Sequence, residues 1–515
     1  MHAPAAAVLP SAVVLVAGLV CLSSCTGSPP HQISFSRQAH ILTWGDQGDG
    51  TFRNPILPAD FSDPDAIRIG DDFYLVASDF HFVGMQILHS RDLVNWEIIG
   101  HVFNRLGIAA KYDAMAGYGE GTWAPTLRYH NGTYYVFVCT PYDGLFMWHA
   151  KNPAGSWSDA ITVKAAERWE DPCPFWDDDG KAYLVHSLKG AGPLILHRMA
   201  PDGTRLLDDG REIYRGPTAE GPKLFKRNGW YYISLPEFGV GTGGQTVLRA
   251  RNIFGPYERR EVLPKGSPHQ GALVELPNHD WWFLAFKSTG FLGRITWLMP
   301  VKWGDDDWPV FGVRGQPVQQ WTKPRVGRRY PVLHPQRSDN FTGTSLSPIW
   351  QWNHNPVDDA WSLSARSGWL RLIALPAATL SAARNTLTQK LWTEHGTIEV
   401  RLDVKGLANG DRAGLAFMSG DMFDWIGVVQ TNALRRFAWS GGEGPTTTGN
   451  GIWLRGQYEG DLAKLLYSVD GKTFVDTGVA AKLKFAKWKG ARMAIFCYGP
   501  GAGHADVDFV RYELE

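Results

Sequence analysis

The chain has 515 residues, 20% of them charged and 44% hydrophobic. That is more than one ordinary core accommodates, so a folded two-domain protein is expected and disorder is excluded. The 51 basic and 51 acidic residues cancel, which leaves no electrostatic footprint for nucleic acid or an anionic membrane surface and points to a neutral partner.

Residues 1–25 read as a processing segment, apolar from Ala5 to Val20 and closing on Leu22-Ser23-Ser24-Cys25, followed by a polar tether over residues 26–50. The pattern is that of a bacterial lipoprotein signal with Cys25 as the lipidated residue. No Lys or Arg precedes the apolar run, so a plain secretory signal stays open. Either reading implies export, to the periplasm or outer membrane by a lipid anchor or as a secreted protein. No other stretch is long and apolar enough to span a bilayer, so membrane association is expected only through that anchor. Cys139, Cys173 and Cys497 suggest no disulfide framework, and no Cys/His spacing suggests zinc.

From residue 51 to 323 one pattern recurs five times: a Pro or small-residue step, a short apolar strand, a polar turn and an aromatic strand. The steps are Asp63-Pro64, Ala124-Pro125, Asp171-Pro172, Gly221-Pro222 and Gln270-Gly271, and the turns at Asp71, Asn131, Asp179, Asn228 and Asn278 lie 48 to 60 residues apart. This spacing predicts an all-β fold with one four-stranded propeller blade per repeat, five in all, and at most a turn or two of helix between Arg105 and Ala116. Asp177-Asp178-Asp179-Gly180 and Asp305-Asp306-Asp307 lack the later acidic ligands of a calcium loop and read as turns. Gly239 to Gly244 lacks the Lys and helix of a phosphate loop and reads as a mobile loop near the pocket rim.

Residues 324–337 are a linker rich in Pro, Arg and Gly. Residues 338–515 then alternate afresh at Thr397–Val404, Trp425–Gln430, Ile452–Arg455, Lys464–Ser468 and Ala491–Tyr498, with a final strand over Ala505–Tyr512. Without the earlier repeat, such alternation predicts a two-sheet β-sandwich.

Eight residues before the first four turns stand Asp63, Trp123, Asp171 and Glu220, and His269 stands nine before the fifth. If these surround one axis, three carboxylates, an indole and an imidazole meet there. Cleaving a glycosidic bond near neutral pH needs a carboxylate base and a carboxylic acid. Asp63 suits the base and Glu220, with its longer reach, the acid. Asp171 beside the acid would raise its pKa by like-charge proximity. Carboxylates that only cap strand-entry turns are the alternative. His269 is either a core histidine or an axial group binding water or a cation. Arg294 pairs with Asp171 or a sugar hydroxyl, or lies in a surface salt bridge. Trp123 and Phe80 are either sugar-stacking walls or core.

These motifs resemble glycoside hydrolase family 43. Asn54-Pro55-Ile56-Leu57 leading to Phe61-Ser62-Asp63-Pro64-Asp65 is similar to its opening, and Thr122-Trp123-Ala124-Pro125, Glu170-Asp171-Pro172, Ala219-Glu220-Gly221-Pro222 and His269-Gln270-Gly271-Ala272 continue the likeness. Trp350 to Pro356 and Ala383 to Gln389 resemble the concanavalin-like, jelly-roll sandwich of the family's β-xylosidase and α-L-arabinofuranosidase branch. The resemblance implies an inverting exo-glycosidase acting on terminal xylose or arabinofuranose of xylan, arabinoxylan or arabinan fragments. It gives Asp63 as general base, Glu220 as general acid and Asp171 as pKa modulator, with Phe80, Trp123, His269 and Arg294 binding substrate. It implies no required cofactor, allows a structural Ca2+ near His269 through water, and allows a sandwich loop over the pocket. A retaining, fructan-active propeller enzyme and a catalytically silent carbohydrate-binding protein are the competing readings.

Overall fold

The computed structural model describes residues 44–239, 241–432 and 434–514. The expected signal segment, Cys25 and most of the expected tether lie outside these residues. From Trp44 onward the chain is packed, with the Trp44 indole buried edge-on against Trp392 at 5.2 Å.

Each repeat becomes an antiparallel sheet. The first blade is Ser62–Ile69, Asp72–Ser78, Gln86–Ser90 and Trp96–His101, and the second is Trp123–His130, Thr133–Thr140, Gly144–Ala150 and Ile161–Lys164. The third runs from Trp169–Trp176 to Arg211–Tyr214 and the fourth from Lys223–Arg227 to Glu258–Leu263. Local chemistry dictates the innermost hairpins. Asn131-Gly132 and Asn228-Gly229 take positive φ at both residues, the two-residue turn whose twist matches paired strands. The fifth blade, His269–Glu275, Trp281–Ser288, Arg294–Trp303 and Pro309–Phe311, also receives Leu57–Asp60, which pairs with Arg294–Trp303 and ties the start of the ring to its end. A single helical turn, Ala110–Asp113, forms inside the predicted window. No helix among the described residues is long and apolar enough to cross a membrane.

Apolar faces of neighbouring blades pack together, for example Val185, Leu196, Leu224, Ile233 and Leu248 between the third and fourth. Cys139, Cys173 and Cys497 are buried and unbridged. The acidic turns are held by cations: Lys226 reaches Asp177 and Asp178, Arg260 pairs with Asp306, and Arg227 with Asp307.

The second domain is a sandwich of two seven-stranded sheets. Strand His395–Asp403 turns Ile398, Val400 and Leu402 inward and the residues between them outward, the period of two expected of a half-buried sheet. The closing strand His504–Leu514 is central, pairing with Leu370–Ile373 on one side and His395–Asp403 on the other. Both domains belong to one compact unit over residues 39–515, and one apolar cluster runs from Ile56 and Phe61 through Trp392 into Val400 and Leu454.

Candidate active site

At the mouth of each blade's inner strand one residue is left-handed: Asp63 at φ 50°, Ala124 at 34°, Asp171 at 57°, Gly221 at 55° and Gln270 at 48°. All but the last precede proline, where this backbone region is disfavoured. The ladder slips at this point in four blades, between Ser62 and Asp65, Trp123 and Thr126, Glu170 and Cys173, and His269 and Gly271. Such a bulge leaves one residue unpaired and re-aims its side chain. The five equivalent positions are therefore Asp63, Ala124, Asp171, Gly221 and Gln270, which corrects the register expected from counting back from the turns. Trp123, Glu220 and His269 stand one residue earlier: Asp71 is the second residue of its two-residue turn whereas Asn131 and Asn228 are the first of theirs, and the fifth blade turns through five residues, 276–280.

Between the blades lies a cavity of about 530 Å³, lined by Asp63, Asp171, Glu220, Phe80, Trp123 and Arg294, all expected from the sequence. Phe80 is itself left-handed and is bridged to Thr122 by two backbone hydrogen bonds, which set its ring 5.6 Å from that of Trp123. His269 is placed differently. It is buried behind the wall, 4.5 Å from the Phe286 ring, with Nδ1 3.1 Å from the Ser267 carbonyl oxygen, and Gln270 takes the wall position.

The carboxyls receive unequal support. Asp63 Oδ1 accepts from Arg294 at 2.9 Å, and its Oδ2 accepts from the Ser78 hydroxyl at 2.6 Å. Arg294 thus pairs with Asp63 and not with Asp171, because Asp60, next to the Asp63 turn, fixes the Arg294 backbone N–H at 3.0 Å. Asp171 accepts from the Gly221 N–H at 2.7 Å. Burial, then the charges of Glu170 and Asp63, push Asp171 well above the usual carboxylate range. Glu220 is partly open to the cavity. Burial, then the charges of Asp171 and Asp63, push it up to about 8 against the pull of Arg294.

Several wall residues carry no signal in the repeat. Glu170 is a fourth buried carboxyl, accepting from the Gly190 and Ala191 N–H groups at 3.2 Å and pushed up to about 7 by burial and by Glu220. Its place beside Asp171 is legible only once the bulge brings both side chains to the cavity. Arg168, Lys189 and Gln270 line the wall, and so does Trp488 from the sandwich, its ring 5.9 Å from Trp123. Trp123 Nε1, Gln270 Oε1 and Arg294 Nε are buried without a protein hydrogen-bond partner among the described residues, an arrangement that suits a wall built to receive hydroxyls.

Among the described residues no three His, Cys, Asp or Glu side chains converge as metal ligands. Calcium takes six to eight oxygens. His269, expected to reach such an ion only through water, supplies no oxygen ligand of its own, and no step below passes through a metal.

Residues 52–309 match glycosyl hydrolases family 43, and residues 338–513 match the beta xylosidase C-terminal concanavalin A-like domain. A protein of Xylanibacter ruminicola is 46% identical over 468 residues, with 87% of each chain covered. A beta-xylosidase of Formosa agariphila is 35% identical, with 96% of this chain and 97% of that one covered. A xylan beta-1,4-xylosidase structure from Bacillus halodurans superposes with a TM-score of 0.79 at 25% identity, covering 90% of this chain and 99% of that one.

Proposed function

Because the chain belongs to glycosyl hydrolases family 43, we propose that it is an inverting exo-glycosidase that removes terminal β-D-xylosyl or α-L-arabinofuranosyl residues from hemicellulose fragments. One observation carries the reading: Asp63 and Glu220 line one cavity in different company, Asp63 against Arg294 and Ser78 and Glu220 beside the carboxyls of Asp171 and Asp63. Arg294 and Ser78 fix the position of the Asp63 carboxylate, which takes a proton from water. Glu220, protonated up to about 8, donates to the departing glycosidic oxygen. Two carboxyls facing one cavity, one held by an arginine and a hydroxyl and the other kept protonated, are the pattern of paired acid and base work. Burial, and after it the neighbouring Asp171 and Asp63 carboxyls, keeps Glu220 protonated, and the bond of Asp171 to the Gly221 N–H anchors the acid's own backbone.

Phe80 and Trp123 supply apolar walls for a sugar ring, and Trp488 narrows the cavity from the sandwich side, which favours a chain end over the middle of a polymer. The relatives' names favour xylose, and a panel of nitrophenyl xylosides and arabinofuranosides ranks the two sugars. Proton NMR of the first-formed product tests the mechanism. The inverted anomer is expected, a retained anomer overturns it, and wild-type protein inert on the whole panel leaves a carbohydrate-binding protein. Export with a lipidated Cys25 belongs to the same proposal, and the mass of the mature N-terminal peptide checks it.

A further inference from the structure

A short hairpin of the sandwich reaches the propeller's catalytic face. Ala486 and Lys489 exchange backbone hydrogen bonds, and Lys487 and Trp488 between them are both left-handed, at φ 51° and 67°. The turn sends Trp488 to the cavity wall and Lys489 in the opposite sense, into a site where it is 1% exposed. A Cβ on Gly490 would stand 2.5 Å from the Leu292 oxygen, and one on Gly293 would stand 2.8 Å from the Gly490 nitrogen. The two backbones can therefore meet this closely only with glycine on both sides.

The Lys489 ammonium donates to the Ser78 carbonyl oxygen at 2.9 Å and lies 3.0 Å from Asp60 Oδ2, which also accepts from the Gly490 N–H at 2.8 Å. Those two contacts lead to both supports of Asp63. Ser78 donates its hydroxyl to Asp63 Oδ2 while accepting from the Ala124 N–H at 2.7 Å, and Asp60 Oδ1 holds the Arg294 backbone N–H. Burial works to raise the Asp60 carboxyl, and Lys489 with the Gly490 and Arg294 amides outweighs it and keeps Asp60 below its ordinary range. The other charges facing Lys489 are Asp79 at 3.7 Å and, through Asp79, Lys390 and Arg492, each 3.5 Å from it.

We infer that Lys489 is a positioning residue: by tying Ser78 and Asp60 together it sets the Arg294–Asp63 pair, so that the sandwich completes the chemistry of the propeller as well as the wall of its pocket. A carboxylate that must hold a water in line tolerates little displacement, and a shift of about 1 Å costs on the order of 100-fold in rate. The inference rests on Asp63 as the base.

The test is steady-state kinetics of the full chain on nitrophenyl xyloside and arabinofuranoside, with a thermal midpoint for each variant. Lys489→Met and Asp60→Asn are each expected to lower kcat about 10- to 100-fold with KM changed less than about threefold, because the sugar-binding walls are untouched while water activation is impaired. A purely structural role would lower the folded fraction and the midpoint and leave kcat per folded active site intact, which would overturn the inference. If Lys489→Met does not fold, the near-isosteric Asp60→Asn decides, and wild-type kcat in that variant overturns it equally. Asp63→Asn separates the two layers. Retained activity there removes the base assignment itself, whereas an inactive Asp63→Asn beside wild-type Asp60→Asn and Lys489→Met removes only the role of Lys489.

Discussion

Glu220 shows how one side chain's surroundings set a working pH range. A carboxylic acid protonated up to about 8 can donate below that pH and is spent above it, so kcat/KM should fall as pH rises through about 8. Glu220→Gln is expected to lower kcat by about 10²- to 10⁴-fold on substrates with poor leaving groups and to abolish that alkaline limb, as initial-rate pH profiles of the two proteins would show. A profile whose alkaline limb survives in Glu220→Gln would assign it to another group. The identities of Asp63, Asp171 and Glu220 were readable in the sequence because each sits beside a Pro or Gly-Pro step at a recurrent distance from a turn. Glu170 was not, since counting from turns hides which neighbour of a bulge reaches the cavity.

At the scale of the element, the inner strands are ordinary β-structure with one deliberate fault. A left-handed residue before proline is costly, of order 1–3 kcal/mol, and it recurs where the side chains of the cavity are needed. The fifth blade has Gly271 in place of the proline, and a Cβ there would stand 1.8 Å from the Leu284 oxygen in the adjacent strand. Gly271→Ala must therefore part the strands His269–Glu275 and Trp281–Ser288. It is expected to destabilise the protein by about 2–4 kcal/mol, read as a lower urea midpoint, with activity reduced because Gln270 moves with the strand. Strands and turns were legible from alternation and from Asn-Gly and Asp-Gly pairs. Bulges were not, because they depend on pairing with a neighbour whose register the local pattern does not specify.

In the whole molecule, opposed titrations tune stability. Glu220 rises from an ordinary 4.5 to about 8 on folding, so its contribution is fully present below about 4.5 and is lost as pH rises through about 8. Lys390, buried between the domains, falls from 10.5 to about 7 under burial and the nearby Arg492 and Lys489 charges, against the pull of Asp79. Its folded form binds fewer protons than the unfolded chain between those values, so its penalty is relieved as pH rises. Glu220→Gln should therefore match wild type near pH 4.5 and be more stable at about pH 9 by on the order of 1 kcal/mol, read as a higher thermal midpoint. Scanning calorimetry at the two pH values checks this, and equal midpoints at the alkaline value would contradict it.

What the sequence by itself determined is the all-β class, the five repeats, the sandwich and three of the four carboxyls, because period-2 burial, turn chemistry and repeat spacing are written locally in the chain. Tertiary structure alone decided that Arg294 serves Asp63, that Leu57–Asp60 closes the ring, and that Trp488 and Lys489 arrive from another domain. These are contacts between residues some 200 to 400 positions apart. Close packing of two backbones selects them, and hydrophobic periodicity carries no record of which distant surface a strand or hairpin will meet.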